Sequence, residues 1–415
     1  MSFTPTSIVS EKPADILHLL NLDTVGGVEH LFHHFVTFPH KTGDQTDHAI
    51  ITGGPVHPHF EKALKTQLAG IHYAKTWHGM KLPKRPRFIR RWRQDRLIRQ
   101  LDPDLGVLWN RFGDLTSLEG LKKHGVRVIH YEHGAAWLAP KTPRHEQFLG
   151  GVDLAVCASV AAKRVLQLRW GYAGKIEVVL NCLRPDLVPG NQQPKSLPED
   201  RPVRLGVAAR LIPLKGVGVA LHALRTLLDA HHTVELHIAG GGPLQPFLAQ
   251  ETNRLGLDAA VTFHGCIQDM PAFYEMIDLL LVPSVREPFG LVIVEAAARG
   301  CPAVCSRIDG IPEAVVDGQT GVCLSPTVDL ASGLRFGGEA SEFPPGVYDP
   351  QSDQMVEPRF LAPDLLAGAI AALLGDPETY ARLSGAAIEH AKENFSTAQY
   401  VADLRHVFAR ALKAG

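Results

Sequence analysis

The chain has 415 residues, 45% of them hydrophobic and 20% charged, which supplies a substantial core and excludes disorder, collagen and coiled coil. Its 42 basic and 43 acidic residues leave a net charge of −1, which argues against a protein devoted to wrapping nucleic acid. Length predicts two or three domains, and six cysteines with no secretory leader ahead of them predict reduced thiols in the cytosol.

Ile16–Leu20 reads as the first strand. The loop Asp23-Thr-Val-Gly-Gly27 follows, and then Val28, Leu31, Phe32, Phe35 and Val36, spaced as one face of a helix. Strand, glycine turn and helix open a doubly wound α/β unit. Further strands are predicted at His48–Thr52, Gly106–Trp109, Val126–Tyr131, Leu154–Ala158 and Glu177–Leu180. Prolines 185, 189, 194, 198 and 202 then mark Leu183–Pro202 as a linker. A second series begins with strand Arg204–Ala209 and a helix carrying Val217, Leu221, Leu224 and Leu228 on one face. Strands follow at Val234–Ala239, Val261–His264, Leu279–Pro283, Ala303–Ser306 and Val322–Leu324. The longest apolar run, Ile277 to Val285, is interrupted by Asp278 and Pro283, far short of the roughly 20 residues of a spanning helix. The predicted organisation is a first domain at 1–182, a linker at 183–202 and a second domain at 203–390, with 326–363 inserted at its edge. A C-terminal helix at 391–415, part of a helical stretch from Pro377 to Ala414, is expected to return to the first domain.

Arg286-Glu-Pro-Phe-Gly-Leu-Val-Ile-Val-Glu295 places Glu287 in a loop after a strand and Glu295 about one turn into the next helix, if that helix starts near Gly290. Free N–H groups at such a start suit a diphosphate. Glu295 can accept from both hydroxyls of a ribose, and Glu287 from those of a second sugar. Each glutamate alone reads as a surface residue of a helix or a turn; the surrounding pattern overturns that reading. Arg210 and Lys215 bracket a loop leaving the second domain's first strand, where two cations can neutralise a leaving diphosphate without a metal. Ala239-Gly-Gly-Gly-Pro243 closes the next strand with a turn. Asp102-Pro-Asp104 precedes a strand and reads as a turn, and Cys301 and Cys305 read as buried thiols.

Together these residues resemble the family-4 retaining glycosyltransferases of the GT-B fold, densely from Arg204 to Leu324. The E-x7-E motif falls on Glu287 and Glu295, the R-x4-K pair on Arg210 and Lys215, and the G-x-G-P turn on Gly240–Pro243, with glycine replacing the usual acid. The first-domain glycine loop falls on Gly26 and Gly27. The resemblance implies an α/β protein of two doubly wound Rossmann-like domains facing across a cleft that closes on the donor. It implies a metal-independent, retaining hexosyltransferase that needs no cofactor and takes a nucleotide-sugar as substrate. Arg210 and Lys215 would hold the diphosphate, with backbone N–H groups of Phe289, Gly290 and Leu291. Glu287 would bind the donor sugar and Glu295 the ribose, Gly26, Gly27 and Gly241 would let backbone approach the donor, and His133 would stand beside the sugar. A structural histidine is the alternative for His133.

Between Lys75 and Arg99 stand ten basic residues (75, 81, 84, 85, 87, 90, 91, 93, 96 and 99) and one acid, Asp95. On a helix over Arg87–Leu101, Phe88, Ile89 and Trp92 face away from Leu97, Ile98 and Leu101. Trp77, Phe88, Arg91 and Trp92 are therefore the expected contacts with an anionic membrane surface, against the simpler reading of a solvated helix. The functional expectation is transfer from a nucleotide-sugar, UDP-linked before GDP-mannose. The acceptor would be a glycan or lipid-linked molecule in polysaccharide or lipopolysaccharide synthesis, in the cytoplasm or at the inner face of its membrane. No nucleic acid is an expected partner. A nucleotide-sugar epimerase of the same fold and a non-catalytic nucleotide-sugar-binding subunit are the alternatives.

Overall fold

Short apolar runs buried on both faces are what a parallel sheet demands, and the chain forms two such sheets. The computed structural model describes residues 14–39, 46–77, 80–83, 85–86, 88–188 and 190–413. It divides into two compact units, and of the described residues those within 14–158, 166–180 and 397–413 belong to the first and those within 159–165 and 181–396 to the second.

The first unit holds β1 (Ile16–Leu19), β2 (His48–Thr52), β3 (Gly70–Tyr73), the small antiparallel pair β4 (Thr76–Trp77) and β5 (Met80–Lys81), β6 (Leu105–Trp109), β7 (Arg127–Glu132), β8 (Leu154–Cys157) and β9 (Ile176–Val178). Its main sheet is parallel, in the order β3-β2-β1-β6-β7-β8-β9. The strand order reverses between β1 and β6, the place where open α/β sheets bind ligands. The predicted strands are present within a residue or two. The additional one, β3, has the sequence Gly-Ile-His-Tyr, with too few aliphatic residues to signal itself. Helix Gly27–Thr37 buries Leu31, Phe32, Phe35 and Val36, as its spacing predicts.

The predicted terminal helix is two, Pro377–Asn394 and Thr397–Lys413, interrupted at Phe395 and Ser396; Ala414 lies outside the described residues. Thr397–Lys413 belongs to the first unit. Its apolar face (Tyr400, Val401, Leu404, Val407, Phe408) is buried, with Phe408 5.4 Å from Phe35 and 6.0 Å from His18 between ring centroids. Arg405 Nη2 donates to the Phe38 carbonyl at 3.0 Å.

The second unit holds β10 (Val203–Ala208), β11 (Val234–Ala239), β12 (Val261–Gly265), β13 (Leu279–Val282), β14 (Ala303–Ser306) and β15 (Gly321–Leu324), all parallel, in the order β12-β11-β10-β13-β14-β15. Its order reverses between β10 and β13. The proline-rich segment 183–202 is not a loose tether where it is described (Pro189 is not). Lys195 Nζ donates to the carbonyls of Tyr274, Glu275 and Ile277 at 2.8, 3.0 and 2.5 Å.

Where the sequence predicts an edge loop over 326–363, the structure has core. β16 (Val328–Asp329) pairs with β19 (Arg359–Phe360), and β17 (Val347–Asp349) with β18 (Gln354–Val356). Phe336, Phe343, Phe360 and Leu361 join the central apolar cluster, with Phe360 5.7 Å from Phe336 and 5.4 Å from Phe343 between ring centroids. Strands of two or three residues and single 3₁₀ turns give these side chains no period to display.

Candidate functional site

In the second unit the chemistry-bearing residues flank the reversal of strand order. Arg210 is exposed just past β10, and Lys215 ends a 3₁₀ turn over Pro213–Lys215. Glu287 lies in the loop leaving β13. The Leu214 carbonyl accepts from Val285 N at 2.9 Å, which ties the two loops together. Across that junction the Lys215 ammonium is paired with the Glu287 carboxylate, both largely buried. The sequence assigns these two residues to different parts of a ligand; the fold makes them one charge pair.

Gly290 caps helix Leu291–Ala297 with φ 99°. The Phe289 side chain is buried against Phe395, 5.7 Å between ring centroids, so only its backbone is available to a ligand. Glu295, in the same helix, accepts from the Tyr274 hydroxyl at 2.7 Å and has Arg184 Nε 3.7 Å away. Burial pushes its carboxyl above the ordinary range, while Arg184 and Tyr274 pull the other way. Neither partner was singled out from the sequence. Arg184 sits in the proline-rich stretch, and Tyr274 lies 21 residues before Glu295, with no local spacing to link them.

The glycine turn after β11 abuts the same loops. Gly240 (φ 131°) donates to the Gly265 carbonyl at 2.7 Å, and Leu211 N donates to the Gly241 carbonyl at 3.0 Å. A Cβ on Gly240 or Gly242 would lie 1.8 or 2.3 Å from the carbonyl oxygens of Ala209 or Leu211, so close approach excludes any side chain. At Gly241 the nearest atom would be the Cys266 sulfur at 3.0 Å, a milder restriction.

In the first unit, Gly26 is the N-cap of helix Gly27–Thr37, directly after β1. His133 follows β7, on the same carboxyl edge of the sheet. The adjacent Glu132, fully buried, shapes that loop. One carboxylate oxygen accepts from Gly134 N at 2.5 Å and Ala136 N at 3.0 Å, and the other meets His130 Nε2 at 3.0 Å. Burial would raise its pKa, but His130 and the two N–H groups hold the carboxyl below the usual range. His133 stacks 5.8 Å from Trp109 at 11° and lies 4.1 Å from Tyr131 between ring centroids. Both its ring nitrogens are covered and make no protein hydrogen bond. Burial lowers its pKa to about 3, so the ring is neutral at physiological pH. The acid preceding a strand-end histidine and glycine was the readable signal for Glu132.

Helix Phe88–Leu101 buries Leu97, Ile98 and Leu101 and turns Phe88 (68% exposed) and Trp92 (47%) outward. Trp77 meets Trp92 edge to face at 5.7 Å, and the Arg96 guanidinium lies over Trp92 at 5.6 Å. Arg91 pairs with Glu119 at 2.6 Å, and Lys123 with Asp95 at 2.9 Å, so part of the local charge is matched. Lys84 and Arg87 lie outside the described residues. Among those described, no helix is long and apolar enough to cross a membrane, and no group of three or more His, Cys, Asp or Glu residues could hold a metal ion. Asp102 and Asp104 occupy the turn before β6, and Cys301 and Cys305 are buried.

Two doubly wound parallel sheets, with glycine-rich and charged loops at their carboxyl edges, are the architecture of the GT-B fold. Residues 25–187 match the family model described as Glycosyltransferase Family 4, and residues 190–335 the one described as Glycosyl transferases group 1. The chain belongs to the family-4 glycosyltransferases. A curated relative, the D-inositol 3-phosphate glycosyltransferase of Corynebacterium efficiens, is 33% identical over 213 residues, covering 49% of this chain and 42% of the relative. The chain thus spans about two fifths of the length of that relative. Among solved structures, a glycosyltransferase from Rickettsia africae aligns with 97% of this chain and 100% of its own at TM-score 0.73 and 17% identity. Anabaena Alr3699/HepE in complex with UDP-glucose aligns with 95% and 99% at TM-score 0.69 and 18% identity. At these identities the likeness to both is one of fold.

Proposed function

We propose that the protein transfers a sugar, with retention and without a metal, from a nucleotide-sugar to a glycan or lipid-linked acceptor of a surface polysaccharide. The observation that carries this reading is the Lys215–Glu287 pair at the junction of the β10 and β13 loops. It sets a cation where a diphosphate leaves beside a carboxylate that accepts from sugar hydroxyls. Arg210 adds the second cation. Glu295 receives the ribose, held ready by Tyr274 and Arg184. Gly241 and the backbone of Phe289, Gly290 and Leu291 approach the phosphates. In the reaction the bond from the anomeric carbon to the diphosphate oxygen breaks. The acceptor oxygen bonds to that carbon on the same face, and its proton passes to the leaving phosphate.

A UDP-sugar is the favoured donor, GDP-mannose the next, supported by the UDP-glucose complex of the Anabaena neighbour. The name of the curated relative places inositol phosphate among the acceptors to screen beside glycans. Calorimetry with UDP, GDP and ADP and their sugar conjugates tests the donor reading. One nucleotide should bind best, and Glu295→Ala should weaken it about 10- to 100-fold, the worth of hydrogen bonds to a charged group. No binding of any of them overturns it.

The exposed Phe88, Trp92 and Trp77, set among arginines, support a further partner, an anionic lipid surface that would bring the enzyme to lipid-linked acceptors at the inner face of the cytoplasmic membrane. Phe88→Ser/Trp92→Ser should lose co-sedimentation with liposomes of anionic lipid while keeping nucleotide affinity. Unchanged sedimentation would remove the membrane from the proposal.

A further inference from the structure

We infer that Asp309 is a positioning residue for Glu287, and that the β17–β18 hairpin braces the donor-sugar loop through it; the inference rests on the donor reading above. Asp309 is 1% exposed and holds a left-handed backbone (φ 47°), a conformation that L side chains adopt only where their surroundings impose it. Its two carboxylate oxygens face two different elements. Oδ2 accepts from Glu287 N at 3.0 Å, and Oδ1 accepts from Tyr348 N, in β17, at 2.7 Å. Asp309 N donates in turn to the Tyr348 carbonyl at 2.9 Å, so side chain and backbone both clasp the same residue of the hairpin.

The next residue completes the grip. Gly310 N donates to the Glu287 carbonyl at 3.1 Å, so the Asp309–Gly310 shoulder holds the glutamate at both its amide nitrogen and its carbonyl. A Cβ on Gly310 would lie 2.1 Å from the Pro288 carbonyl oxygen and 2.9 Å from Phe289 Cα, so the shoulder presses directly on the loop. The hairpin is stiffened at its far end, where the Tyr348 hydroxyl donates to Asp353 at 2.9 Å. The Asp309 carboxylate is already engaged by the Glu287 and Tyr348 amides. It acts through Glu287, whose carboxylate would otherwise be placed by Lys215 alone.

A positioning role predicts a loss confined to the sugar. Asp309→Asn keeps the shape, but its single carbonyl oxygen can serve only one of the two N–H groups. Asp309→Gly removes the carboxylate while relieving the left-handed backbone, and so keeps a folded variant available. Binding of UDP and of UDP-glucose is compared by calorimetry, with GDP and GDP-mannose if the wild type prefers them. In both variants the sugar conjugate should weaken about tenfold, the loss of one well-placed hydrogen bond, and the bare nucleotide less than about twofold. In a Glu287→Ala background, Asp309→Gly should add no further loss. Equal weakening of nucleotide and conjugate, or an additive loss in that background, overturns the positioning role while leaving the donor reading intact. A wild type that binds neither form removes both.

Discussion

Lys215→Ala and Glu287→Ala should each lower transfer about 10²- to 10³-fold, and the double variant should fall no further than the worse of the two singles. The expectation comes from their contact. Lys215 and Glu287 are paired, with side chains 23% and 11% exposed, so neither charge is fully screened by water. On the proposed reading, removing the lysine would take away the cation that stabilises charge on the departing diphosphate, and it would also free the carboxylate paired with it. Removing the glutamate leaves the ammonium without the partner that aims it. Because each single substitution disables the pair, the effects overlap. The measurement is kcat and donor KM for the two singles and the double, with the donor that calorimetry selects. Losses that multiply would show two independent groups and break the argument. Lys215→Ala is expected to act mainly on kcat, since its contribution grows as charge develops.

Phe360→Ala should destabilise the second unit by about 3–5 kcal/mol, the cost of emptying a closely packed aromatic site. Phe360 is fully buried between Phe336 and Phe343, and a Cβ on Gly333 would lie 2.0 Å from its ring, so the backbone on that side is in tight contact with it. Urea unfolding followed by circular dichroism gives the value. A residue in a surface insertion would change stability by no more than about 0.5 kcal/mol. A change of that size would return the 326–363 segment to the role the sequence predicted for it.

Much of the architecture is legible because parallel strands are buried on both faces and advertise themselves as short apolar runs. β2, β11 and β14 have the predicted limits, and the helix after β1 buries the predicted stripe except for the partly exposed Val28. Gly26, Gly27, Arg210, Lys215 and Glu287 fall in loops that leave strands, and Glu295 in the helix that follows one, because a turn between a strand and a helix leaves both a composition signature and exposed polar backbone. What stayed hidden depends on contacts distant in sequence. Tyr274 reaches Glu295 from another helix, Arg184 from the proline-rich stretch, and Asp309 from the loop after β14. The aromatic core of 326–363 was hidden for a different reason: its strands are too short to show alternation. The mutual contact of Lys215 and Glu287 also has no sequence signal, since 72 residues separate them.

The first unit is assembled from segments on either side of the second, and this bears on the order in which the molecule is made. Its sheet strands lie between Ile16 and Val178, but Phe35 and His18 wait for the Thr397–Lys413 helix until all of residues 181–396 have been translated. At ordinary elongation rates that interval is on the order of 10–40 s. The second unit, continuous over its long segment, has its own strands and core to hand during that time. The first unit is therefore completed only after the whole of residues 181–396 has been made, and until then the face that the Thr397–Lys413 helix covers stays open.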